Sequence, residues 1–137
     1  MWFFSKRTEK QKIGKKGEKL AEKYLKEKHY TILHKNYKSK KNELDIVAKV
    51  GRTLVFVEVK TTSSDKSEEF KLPSQAVDRH KQECLIQCAY DYIADKKRDY
   101  RAYRFDVIEV YLNEDKPRIN HIENAFYKKK GYTPWNR

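Results

Sequence analysis

The segment ELDIVAKVGRTLVFVEVK, residues 43–60, decides the fold. It reads as two strands, Glu43 to Val50 and Thr53 to Lys60, joined by Gly51-Arg52. Glycine at the first central position of a two-residue loop suits a type II′ hairpin. Such a loop sets the register: Val50 faces Thr53, and opposing residue numbers sum to 103. Asp45 is thereby predicted opposite Glu58 and Glu43 opposite Lys60, with Asp45, Glu58 and Lys60 sharing one face by period-2 alternation. Val55, Val57 and Val59 fill the other face. With Leu54 and Phe56, the second of these strands is apolar on both sides, the pattern of a central strand.

Working outward, Ile13, Gly17, Leu20, Ala21, Tyr24 and Leu25 recur at helical spacing and predict an amphipathic helix over residues 10–28. Residues 30–37 read as a first strand and Lys38 to Asn42 as a basic turn. After the central strand, Thr61 to Pro73 is polar and predicts a loop beside the carboxylates. Ser74 is placed to cap a long helix reaching Lys97, with Val77, Cys84, Leu85, Cys88, Tyr92 and Ile93 turned inward. Tyr103 to Tyr111 reads as a fourth strand and residues 118–126 as a fifth. Helix, three-stranded meander, helix and strand imply a mixed α/β sandwich.

The chain of 137 residues is one domain's worth. Residues 1–127 are read as that domain and residues 128–137 as a basic, aromatic tail. The net charge of +12 is unevenly placed: 14 basic and 4 acidic side chains in residues 1–42, 14 and 16 in residues 43–127, four and none thereafter. Basic ends around an acidic middle favour a nucleic-acid partner over a membrane, and bound divalent cations would explain carboxylates kept beside a polyanion. The opening Met1-Trp-Phe-Phe-Ser-Lys-Arg7 resembles neither a signal peptide nor a membrane span, and only two cysteines occur. A reducing, cytoplasmic setting is the expectation. His80, Cys84 and Cys88 line one helix face, but without a second ligand pair they read as core packing and not as a zinc site.

Asp45, Glu58 and Lys60 carry the chemistry. Two carboxylates facing each other in an apolar sheet repel and are costly to bury, and a divalent cation offsets that directly. Hard oxygen donors suit Mg²⁺, and the neighbouring ammonium of Lys60 can assist a metal-bound water and stabilise developing phosphorane charge. The bland alternative is a solvated ion-pair lattice in which Lys60 pairs with Glu43.

The spacing Asp45, twelve residues, Glu58-Val59-Lys60 matches the PD-(D/E)xK motif of restriction-endonuclease-like nucleases. More narrowly, the chain resembles the YraN family of endonuclease-like proteins, relatives of archaeal Holliday-junction resolvases, over nearly its whole length. The resemblance is carried by Gly14-Lys-Lys-Gly-Glu18, Ala21, Tyr24-Leu25, Asn36, Glu43 to Ala48 and Leu54 to Thr61. Ala76-Val77, Lys81-Gln82, Arg104 to Val107 and His121 to Phe126 extend it. It implies a mixed β-sheet flanked by helices in the core order αβββαβ, and a Mg²⁺-dependent (or Mn²⁺-dependent) endonuclease that hydrolyses DNA phosphodiester bonds, branched or single-stranded at the reacting point. By resemblance Asp45, Glu58 and the backbone carbonyl of Val59 are metal ligands, Lys60 is the catalytic lysine and Glu18 is the helix-borne acid completing the catalytic set. A homodimer is implied too, since a symmetric junction needs two cuts. Asn42 stands where the family usually has Gly, with left-handed backbone expected there, and Thr62 where it has Arg.

Two rivals stand beside this reading. Gly14-Lys-Lys-Gly17 matches the GXXG loop of KH modules in four letters only, and close packing of the helix on the sheet explains its glycines as well. The stronger rival is a nuclease fold that binds nucleic acid without cutting it, for which Arg104, Asp106, Lys81 and the tail would serve equally.

Overall fold

The computed structural model describes residues 8–63, 77–96, 100–112 and 115–127. Helix α1 (Glu9–Glu27) is followed by β1 (Thr31–Ser39), β2 (Asn42–Val50), β3 (Thr53–Thr62), α2 (Arg79–Lys96), β4 (Ala102–Tyr111) and β5 (Arg118–Phe126). The predicted αβββαβ order is the observed one, extended by β5. The five strands form one mixed sheet in the order β1-β2-β3-β4-β5, with β3 and β4 parallel and all other neighbours antiparallel. The tail 128–137, Ser74 and most of the predicted loop lie outside the described residues.

Each helix covers one face of the sheet. Ala21 and Leu25 of α1 pack with Ile46, Val55, Val57 and Ile108, while Leu85, Cys88 and Tyr92 of α2 pack with Leu44, Leu54, Phe56 and Phe105. Alternate residues of β3 therefore serve opposite cores, and the strand is buried on both sides from Leu54 to Val59. This is the central strand read from the sequence.

Local chemistry sets the ends of the helices. Thr8 and Gln11 form a reciprocal capping box at the start of α1, at 3.1 and 2.9 Å. At its end, His29 adopts φ 68°, its N–H donates to the Lys26 carbonyl, and Tyr30 N–H donates to the Leu25 carbonyl, a Schellman closure that drops Tyr30 into the core. In α2 the first turn is capped by Asp78, whose Oδ1 accepts from Lys81 N–H at 2.8 Å. Helix α2 thus begins at Arg79, later than read from the sequence, because Asp78 satisfies the first free backbone donors. Cys88 is buried, and Cys84 is half-buried with its Sγ 3.7 Å from His80 Nε2. Gly51 has φ 58° and opens the β2–β3 hairpin as expected. The left-handed residue of the β1–β2 turn is Lys40, at φ 56°, and not Asn42, which pairs with Ser39 as an ordinary strand residue.

Gly17 is the point of closest approach between α1 and β3. A Cβ there would run into the side chain of Thr61, whereas Gly14 has open space around it. Gly17 is thus a packing device, and both glycines lie within α1 and not in a loop of the phosphate-clamping GXXG kind. Gly17→Ala is expected to lower stability by about 1–3 kcal/mol in denaturant unfolding, since helix or strand must shift to admit the methyl group. A loss under 0.5 kcal/mol would mean that the helix seats elsewhere.

Candidate metal centre

The register predicted from the Gly51-Arg52 turn holds from Val50↔Thr53 to Ile46↔Val57 and then stops. Beyond that point β2 and β3 fork. Asp45 and Glu58 are not ladder partners, nor are Glu43 and Lys60. Instead Asp45 reaches across the fork and its Oδ2 accepts from the Val59 backbone N–H at 2.8 Å. A side chain takes the place of a strand carbonyl, satisfying the donor that the fork would have orphaned.

The cause is a break in alternation at Asp45. Leu44 and Val47 belong to the α2-side core and Ile46 and Ala48 to the α1-side core, so regular period-2 geometry fails between Leu44 and Ile46. On the neighbouring strand Lys35 still pairs with Ile46 and Tyr37 with Leu44, and the residue between them, Asn36, has φ 52°. Paired irregularities on both strands keep the register while aiming Asp45 toward β3. Asn is among the few side chains that tolerate this backbone cheaply.

Glu58, only 8% exposed, lies on the α2 side of β3, with Oε1 3.7 Å from Lys60 Nζ. Its Oε2 is buried and has no hydrogen-bond partner among the described residues. Burial, reinforced by the nearby Asp45 carboxylate, pushes the Glu58 carboxyl up to about 7. Asp45 is raised as well, again chiefly by burial, and Glu18 by burial and by Asp45. Lys81 of α2 and Lys60 both oppose the shifts of Asp45 and Glu58. Glu18 and Asp45 line a common cavity of about 70 Å³ with Lys15, Lys19, Lys35 and Asn36. Among the described residues no three His, Cys, Asp or Glu side chains converge as a ready metal cluster, so Glu18 is coupled to the pair through its field and the shared cavity.

A family model described as "Uncharacterised protein family UPF0102" matches residues 17–110. The chain belongs to the UPF0102 (YraN) family. It is 47% identical over 124 residues to a UPF0102 protein of Caldanaerobacter subterraneus subsp. tengcongensis, covering 88% of this chain and 99% of that one. It is 48% identical over 117 residues to one of Alkaliphilus oremlandii, covering 84% and 97%. A third, of Thermodesulfovibrio yellowstonii, is 46% identical over 115 residues, covering 84% and 96%. The names of these relatives state no activity.

In this UPF0102 protein Asp45 and Glu58 are hard oxygen donors of the kind that a divalent cation takes. Mg²⁺ would offset the charge that Asp45 adds at Glu58 and give its buried oxygen, unpartnered among the described residues, a ligand, with water filling the remaining positions. Hypothetically occupied, the pair would be ionised at neutral pH. Without metal the sign is opposite to that of an ordinary surface acid. A carboxyl raised in the folded state stabilises fully below its unfolded value near 4.5, and that stabilisation is lost as pH rises through about 7. In EDTA, Glu58→Gln is therefore expected to be more stable than wild type by about 1–3 kcal/mol at pH 8, with the gap closing near pH 4.5. Melting curves at the two pH values check this; equal stability at pH 8 would show that Glu58 is not strained.

Lys81, read from the sequence only as a binding or structural residue, and Asn36, read only as part of a family-like segment, stand at this site. Both fall in segments that resemble the family, which was the available signal. Neither shows in the hydrophobic pattern, because one acts across a helix–sheet interface and the other through its backbone angle.

Proposed function

We propose that this UPF0102 protein is a metal-dependent endonuclease that hydrolyses DNA phosphodiester bonds. The observation that carries the reading is the fork at Asp45 and Glu58, where the Asp45 carboxylate acts on a buried Glu58 whose Oε2 has no hydrogen-bond partner among the described residues. Asp45, Glu58 and the Val59 backbone carbonyl would hold Mg²⁺ or Mn²⁺. Bound there, the ion would supply an activated water and neutralise charge on the phosphate. Glu58 orients Lys60, whose ammonium stands 3.7 Å from Oε1 on a side chain 42% exposed, so it can turn to a phosphoryl oxygen as negative charge develops. Glu18, raised by burial, is suited to take the proton that the attacking water gives up or to order that water from the α1 side. Water attacks phosphorus in line and gives its proton to Glu18 as the P–O3′ bond breaks, and the departing 3′ oxygen takes a proton from solvent.

The test incubates purified protein with duplex, single-stranded and four-way-junction DNA and with an RNA duplex, in Mg²⁺, Mn²⁺ or EDTA. Metal-dependent cutting of DNA is the expected result. Metal-independent binding with no cutting by wild type would leave the binding-only module. In parallel, Mg²⁺ at about ten times its Kd is expected to stabilise wild type at pH 8 by roughly 1.4 kcal/mol and to leave Asp45→Asn unmoved. An identical response of the two proteins would remove the metal from the proposal.

A further inference from the structure

The fork is flanked by lysines of two kinds. Lys12, Lys26, Lys35 and Lys60 each stand within 4.0 Å of a carboxylate oxygen. By contrast Lys15 and Lys19 of α1, and Lys38, Lys40 and Lys41 at the tip of the β1–β2 hairpin, are exposed and make no ion pair among the described residues. Lys15 and Lys19 line the cavity that Glu18 and Asp45 share. Lys41 lies four residues before Asp45 on the strand that enters the fork.

The hairpin tip has a further peculiarity. Lys40 occupies the left-handed region, at φ 56°, in a two-residue turn where Gly or Asn is the unstrained choice. Strain kept at an exposed cation points to a use for the charge at that spot. The tip is also held in place: Ser39 Oγ donates to Asp91 Oδ2 of α2 at 2.6 Å. A fixed pair of cations facing solvent, with a second pair at the cavity mouth, suits a rigid polyanion and offers nothing to an apolar partner.

We infer that the β1–β2 hairpin tip and the Lys15–Lys19 edge of α1 form a backbone-binding rim, on which duplex DNA flanking the cleaved phosphodiester rests through its phosphates, independently of sequence. This rests on the nuclease reading for the position of the cut, but the binding it describes needs no metal. It assigns the lysines to positioning and not to chemistry.

The experiment measures fluorescence anisotropy of a labelled 20-base-pair duplex in EDTA across a KCl series. Wild type is compared with Lys40→Gly/Lys41→Gln, Lys15→Gln/Lys19→Gln and a distal control, Lys49→Gln/Lys96→Gln. Each rim variant is expected to lower the slope of log affinity against log salt by about 2 and to weaken binding at 100 mM salt by roughly tenfold. The control should change neither by more than half as much. Lys40→Gly should in addition melt no lower than wild type, because it relieves the left-handed lysine, so weakened binding cannot come from unfolding. Unchanged slopes, or slopes reduced equally in the control, would overturn the rim. A rim that holds in EDTA while wild type fails to cut with Mg²⁺ would sink the nuclease reading alone. Cutting by wild type with unchanged slopes in the variants would sink the rim alone.

Discussion

Asp45→Asn and Glu58→Gln are each expected to reduce DNA cleavage about a hundred- to a thousandfold while leaving duplex binding in EDTA no weaker than wild type. The size follows from removing one hard anionic donor, a loss of about 3–4 kcal/mol of transition-state stabilisation. Binding is spared because either change removes a negative charge from the vicinity of a polyanion. Nor can misfolding imitate the result. Burial raises both Asp45 and Glu58, with Glu43 adding to the first and Asp45 to the second, so deleting one charge relieves the folded state. Asp45→Asn keeps an oxygen able to accept from Val59 N–H, which preserves the bond across the fork. Single-turnover cleavage with a labelled junction and a labelled duplex is the measurement. Either variant cutting within threefold of wild type would show that the fork is not where the reaction happens.

Asp106→Ala is expected to cost about 3–5 kcal/mol of folding stability, a loss on the scale of breaking one partner out of a buried ionic network. Asp106 is fully buried. Its Oδ1 accepts from Arg104 Nε at 3.0 Å and from the Asn124 backbone N–H at 2.9 Å, and its Oδ2 lies 2.7 Å from His121 Nε2. Burial alone would raise this carboxyl; the contacts with His121, Arg104 and Asn124 outweigh it and hold it below the usual range. The stabilisation is therefore present above the ordinary carboxylate value and lost as pH falls through the depressed one. The network continues through His121 Nδ1 to Tyr24 Oη at 3.2 Å, and Arg104 Nη2 donates to Tyr30 Oη at 2.6 Å. Tyr24 belongs to α1, so Asp106 also fastens the helix that carries Glu18. Urea unfolding of Asp106→Ala and Asp106→Asn checks the claim. A loss under 1 kcal/mol in the alanine variant would mean that solvent reaches Arg104 and His121 readily enough to replace the carboxylate.

The difference between the Asp45–Glu58 pair and Asp106 was not visible in the chain. Arg104 and Asp106, two residues apart on an alternating strand, read as a pair of unspecified use. His121 and Asn124 complete that pair only because β5 lies antiparallel beside β4. Likewise Lys81 meets Asp45 and Glu58 electrostatically because α2 crosses under β2 and β3, and no spacing in sequence encodes that meeting. Among the described residues no helix is long and apolar enough to cross a membrane.

What the amino-acid order determined by itself was local and periodic. The Gly51-Arg52 loop carried the β2–β3 register, the double-sided apolar run placed β3 at the centre, and the spacing of Gly17, Ala21 and Leu25 marked the buried face of α1. Each follows from short-range sterics and from which face must leave water. Tertiary structure decided where that order stops: the strands part at Asp45, its side chain replaces a backbone acceptor, and Glu58 is left with a buried oxygen that has no hydrogen-bond partner among the described residues. A break in alternation depends on the left-handed backbone at Asn36 opposite it and on the helices packed above and below. Those are non-local forces, and a period-2 pattern contains no record of them.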